Sequence, residues 1–219
     1  MIQGAKRLAR RVSKFMKNKD IKSVADFGCG SGRTLFLLAD KHPNIICYGF
    51  DSTLFIVKKN RQRADEQALS NLHFEQDTLP NIKSRLSFDL VYSIATLHYI
   101  RDIKLAIQKL YQRVNAGGFL IFNYPNRHSM FWYRKHIKPS NKEMRTRFSL
   151  LLAGRNLITL KDITNITGTR PMNFYRAVGE KGLRANVCVY LHKPYTPNPN
   201  KNRVNTFPAF GKSPVLIPP

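Results

Sequence analysis

The chain has 219 residues, 42% of them hydrophobic, which suits one domain with a core of ordinary size. No apolar run approaches the roughly 20 residues that a helical membrane span needs. With 37 basic against 13 acidic residues the net charge is +24. Such a field attracts polyanions (nucleic acid, an anionic membrane, a phosphorylated substrate), or it reflects only a crowded polyanionic setting.

Residues 2 to 17 place Ile2, Ala5, Leu8, Val12, Phe15 and Met16 at helical spacing, with Lys6, Arg7, Arg10, Arg11, Lys14 and Lys17 between them. A basic amphipathic start of this kind is a mitochondrial presequence, a membrane-surface helix or an integral helix of the domain. The third reading is preferred, because only a few residues separate it from the next apolar run. That run, Val24-Ala25-Asp26-Phe27-Gly28-Cys29-Gly30-Ser31-Gly32, is an apolar strand ending in an acid, followed by alternate glycines and then a helix from Arg33 to about Asp40. Glycines here let backbone approach a ligand that a Cβ would block. A dinucleotide fold wants G-x-G-x-x-G, and Arg33 stands where its third glycine belongs.

The second strand, Ile45 to Asp51, again ends in a carboxylate, suited to accept from two ribose hydroxyls. A helix is expected over Phe55 to Ala68 and a third strand at Leu72 to Glu75, with Asp77 and Thr78 just beyond it. Phe88 to Ser93 reads as a fourth strand. Asp102 caps a helix whose Ile103, Ala106, Ile107, Leu110, Tyr111 and Val114 form a core stripe. Asn115-Ala116-Gly117-Gly118 reads as the turn into a fifth strand at Phe119 to Phe122. Thr159 and Asp162 form a capping pair for a short helix ending at Gly168. Met172 to Ala177 and Ala185 to Leu191 then read as a terminal hairpin. This alternation predicts a parallel sheet with helices on both faces.

The D-x-G-x-G-x-G run, with Asp51, Asp77, the Phe88–Ser93 strand and the Asn115–Phe122 turn and strand, resembles class I S-adenosylmethionine-dependent methyltransferases over about residues 20 to 192. The broad type 11 group, with small-molecule, sugar and tRNA enzymes, is the most similar. The resemblance implies a Rossmann-like sheet of seven strands, mostly parallel, with an antiparallel terminal strand. It implies a domain over 1–193, with the basic helix in 1–22 and an acceptor-side insertion in 124–168; a proline-rich basic tail follows in 194–219, holding seven of the twelve prolines. It also implies S-adenosyl-L-methionine as cofactor, with Asp26, Gly28, Cys29, Gly30, Gly32, Asp51, Ser52, Asp77, Thr78 and Ser93 around it. Asp77 would accept from the adenine amino group, or serve as a turn residue before Pro80.

A hydroxyl acceptor needs its proton removed, and the candidate bases are His98, alternatively a packing residue, and His128. Tyr124, Arg127, Trp132, Tyr133 and Arg134 follow the fifth strand, where rings can stack on an acceptor and guanidinium groups can hold an anion; the alternative is a lid helix packed on the sheet. Neither an N-P-P-Y motif nor a Pro-Cys nucleophile is present. The acceptor expected is a small molecule or glycan methylated at oxygen, with RNA as the alternative, or a polyanion bound without turnover. Cys29, Cys47 and Cys188 are scattered with no C-x-x-C pair, so free thiols and a reducing, cytoplasmic setting are expected.

Overall fold

Val24, Ala25 and Phe27 have no polar group to leave in water, and the chain buries all of β1 (Ser23–Phe27) at the centre of its sheet. The computed structural model describes residues 2–125, 142–177 and 186–195. Strand β1 pairs in parallel with β2 (Ile46–Asp51) on one side and β4 (Phe88–Ser93) on the other. Beyond β2 lies β3 (Leu72–Gln76), and beyond β4 lies β5 (Val114–Pro125), both parallel. The edge is closed by β7 (Asn186–His192), antiparallel to β5, and then β6 (Asn173–Ala177). The order 3-2-1-4-5-7-6 matches the seven strands expected.

Two apolar cores sandwich this sheet. On one face, α1 (Ile2–Met16) and α2 (Arg33–Lys41) bury Ala9, Val12, Met16, Leu35 and Leu38, joined by Val57 and Ala64 of α3 (Leu54–Glu66). On the other, α4 (Ile103–Gln112) contributes Ile103, Ala106, Ile107 and Leu110, and the short C-terminal helix Leu160–Thr167 contributes Ile163. Each of the larger side chains among them (Val, Leu, Ile, Met) contributes about 1.5–3 kcal/mol of transfer free energy. The N-terminal helix is thus integral to the domain: Phe15 meets Phe119 edge-on with ring centroids 5.1 Å apart. Both expected caps form, Asp102 accepting from the Leu105 N–H and Thr159 with Asp162 making a reciprocal capping box.

Asp89 ties the amino ends of three strands together. One carboxylate oxygen accepts from the N–H groups of Lys22 and Ser23 and from the Ser23 hydroxyl; the other accepts from Asn115 Nδ2 at 2.7 Å. The expected turn Asn115–Gly118 lies inside β5 instead of before it. A register shift between Phe88 and Leu90 absorbs it, and Gly117 and Gly118 exchange hydrogen bonds with Lys193. The residues between β6 and β7, and nearly all of the tail, lie outside the described residues.

Candidate active site

Strand order reverses between β1 and β4, and a crevice opens at their carboxyl ends, where open α/β sheets take ligands. The loop Gly28–Gly32 sits in that crevice. Gly28 has φ +84°, and a Cβ there would lie 2.3 Å from the Thr96 side chain. Gly30, at φ +51°, faces open space. The loop is held rigidly: Gly28 and Cys29 N–H both donate to Phe50 O, Gly30 N–H donates to Asp51 Oδ2 at 2.9 Å, and Gly32 N–H donates to Cys29 O. Asn60 of α3, buried and not singled out by the sequence reading, donates to Gly30 O at 2.7 Å. With these four N–H groups committed internally, the loop is poorly equipped to cradle a pyrophosphate, which needs free donors.

One cleft, about 340 Å³, lies on the β2–β3 side of the loop and is lined by Gly28, Asp51, Ser52, Asp77, Thr78 and Thr96. Asp51 uses one oxygen for Gly30 N–H and the other for Thr53 N–H. A carboxylate has about four acceptor sites, so capacity remains for a diol. Asp77 is different. One oxygen accepts from Thr78 N–H and the other from Ser84 N–H, and both accept from Lys83 N–H, at 2.8–3.1 Å. Its hydrogen bonds hold the turn over 78–84, the alternative role that the approach to Pro80 had suggested.

The other cleft, about 620 Å³, lies across the loop beneath α1. Arg7 and Arg11 of α1, Cys29 of the loop, Arg33 at the start of α2, Asn123 of β5 and Tyr190 of β7 line it, with apolar side chains between them. Asn123 Oδ1 accepts from Ala95 N–H at 2.7 Å, so the amide's oxygen is engaged and its NH2 group is the end left to meet a ligand. Arg7 and Arg33 are exposed. Neither the arginines nor Asn123 were picked out for ligand contact from sequence. The available signal was the i, i+4 spacing of Arg7 and Arg11, which puts both on one face of α1.

Charge is arranged unevenly around the loop. Burial pushes the Asp26 carboxyl up to about 8; the nearby Tyr92 hydroxyl opposes this and the Asp51 carboxylate adds to it. Burial also raises the Cys29 thiol, with Asp26 and Asp51 contributing, so Cys29 is a neutral thiol.

Three expected site residues are corrected. Ser93 is wholly buried and donates to Phe27 O at 2.8 Å, so its hydroxyl cannot reach a cofactor. His98 is 1% exposed in the 3₁₀ turn Leu97–Tyr99, edge-on to Phe148, and lines neither cleft. Tyr124 is buried in the core beside Phe122, because β5 runs on to Pro125. Arg127, His128, Trp132, Tyr133 and Arg134 lie outside the described residues.

Residues 18–178 match the family model described as a methyltransferase domain. Trans-aconitate 2-methyltransferase of Deinococcus radiodurans is 32% identical over 120 residues, 55% of this chain and 44% of that protein. Malonyl-[acyl-carrier protein] O-methyltransferase of Bacillus cytotoxicus is 25% identical over 177 residues, 78% of this chain and 60% of that protein. The chain spans about half the length of the curated relatives it matches. Among solved structures, an S-adenosylmethionine-dependent methyltransferase of Clostridium acetobutylicum superposes with a TM-score of 0.65 at 11% identity, covering 87% of this chain and 92% of that one. Magnesium protoporphyrin IX methyltransferase of Synechocystis, with bound S-adenosylhomocysteine, gives 0.62 at 16% identity over 88% and 83%.

Proposed function

The chain belongs to the methyltransferase-domain family, and from that premise we propose that it moves a methyl group from S-adenosylmethionine to an oxygen of a small-molecule acceptor. The observation that carries this reading is the pair of clefts meeting at one rigid glycine loop, with Asp51 and its spare acceptor capacity on one side only. The residues present fit the cofactor: Gly30 leaves an open face, and the committed loop amides favour a ligand without phosphate. Asp51 would hold the ribose, with Gly28, Ser52 and Thr78 around the nucleoside. When bound, S-adenosylmethionine supplies a methyl carbon already activated on a sulfonium. The protein's part is then to hold the acceptor in line and keep water out, and positioning of this kind supplies much of a transfer's acceleration.

The named relatives support a small acceptor over a glycan, since trans-aconitate and the malonyl group are small acids. The +24 charge keeps RNA as the second acceptor class to be assayed. Calorimetry with S-adenosylmethionine, S-adenosylhomocysteine and NAD tests the cofactor. Both sulfur nucleosides should bind and NAD should not, and Asp51→Ala should weaken binding about 10- to 100-fold through lost charge-assisted hydrogen bonds. Labelled methyl transfer into separate metabolite, glycan and RNA fractions then tests the acceptor. Incorporation into RNA alone, persisting at moderate salt, would sink the small-molecule reading.

A further inference from the structure

The cleft beneath α1 combines three arginines with an unusual omission. No histidine, aspartate, glutamate or lysine lines it among the described residues. A hydroxyl or ammonium acceptor must lose a proton to something, and the described walls offer it no carboxylate, imidazole or amine. The Cys29 thiol is no substitute, because burial and two neighbouring carboxyls keep its proton on. What the walls do offer is donors: the Arg7 and Arg33 guanidinium groups and the NH2 of Asn123, whose oxygen is held by Ala95 N–H. A cleft whose described walls carry cationic donors suits an acceptor that arrives already ionised.

We propose that this cleft seats the methyl acceptor by a carboxylate, with Arg7, Arg33 and Asn123 as its hydrogen-bond donors. The inference rests on the methyl-transfer reading above and names the acceptor class for it. A lone pair of one carboxylate oxygen forms the new O–CH3 bond while the S–CH3 bond breaks. The electron pair of that bond stays on sulfur, so the sulfonium becomes a neutral thioether and the carboxylate a neutral ester. No proton moves, so this step needs no base. The ester has lost the charge that the arginines held, so product binds less tightly than acceptor. A planar guanidinium also suits the two oxygens of a carboxylate better than a single hydroxyl.

The test is calorimetry on the full chain saturated with S-adenosylhomocysteine, using free trans-aconitate in one arm and a malonyl thioester on carrier protein in the other. At least one acid should bind, with affinity falling as salt rises, and its methyl ester should bind at least tenfold more weakly. Arg7→Gln and Arg33→Gln should each weaken the acid about tenfold while leaving S-adenosylhomocysteine affinity within twofold. Both side chains are exposed, so an unchanged thermal midpoint is expected in each variant. Which arm binds separates a free acid from a carrier-bound one. If the loaded protein binds neither acid, or if both variants lose S-adenosylhomocysteine in step with the acid, the carboxylate seat is wrong. A protein that binds no S-adenosylhomocysteine refutes the methyl-transfer reading itself.

Discussion

Replacing Asp26 by Asn should stabilise the protein by an amount that grows with pH. Asp26 is 7% exposed at the end of β1, and its carboxyl is pushed up to about 8 from an ordinary 3.8, chiefly by burial. A raised carboxyl pKa means the folded chain keeps a proton that the unfolded chain releases. The unfolded state therefore binds fewer protons between these two values, and wild-type stability falls as pH rises through that window. The site-26 contribution is fully present below about pH 4, where both states are protonated, and its loss levels off above about pH 8. Within the window the slope is about 1.4 kcal/mol per pH unit. Asn has nearly the same shape and no titration, so the variant-minus-wild-type difference should widen by about 2–3 kcal/mol between pH 5 and 7. Urea unfolding at pH 5, 6, 7 and 8 measures it, with constant m-values required. Taking the difference cancels groups that titrate alike in both proteins. A lost contact with Tyr92 would shift the whole line without changing its slope. A difference independent of pH across this range would refute the reasoning, because a carboxyl held ionised in the folded chain binds no more protons there than the unfolded chain does.

Gly28→Ala forces a side chain into φ +84° and onto Thr96, so a loss of about 2–4 kcal/mol is expected from strain and overpacking. Adding Thr96→Ala should recover only the overpacking part, about 1–2 kcal/mol, and full recovery in urea melts would contradict the backbone argument. Asp89→Ala removes the acceptor shared by Lys22, Ser23 and Asn115, and should cost about 2–3 kcal/mol with S-adenosylhomocysteine affinity within twofold. A large loss of affinity at unchanged stability would show that Asp89 reaches the crevice.

The features legible in the sequence share one property: their causes lie within a few residues of their effects. Alternate glycines between an apolar run and a helix announced the loop, and its glycines do take positive φ. The acid closing β2 announced Asp51, since strand length alone puts it beside the loop it binds. The same local reasoning went astray where partners come from far away. Asp77 does line the nucleoside cleft, but its spacing gave no sign that the N–H groups of Lys83 and Ser84 would also fold back onto its carboxylate. His98 is closed off by Phe148, 50 residues on, with Asn156 donating to the adjoining carbonyl of Leu97. Tyr124 sits in the core because β5 continues past the residues whose apolar pattern marked it. The second cleft is the extreme case. Its arginines come from α1 and the first residue of α2, its amide from β5 and its floor from β7, elements that only the finished sheet brings together. A nucleoside pocket built from consecutive strand ends can be read along the chain, whereas an acceptor pocket assembled across the fold has no local signature. The nucleoside pocket was therefore readable along the chain, and the cofactor through the family resemblance that its motif carries, while acceptor recognition depends on which donors the fold gathers.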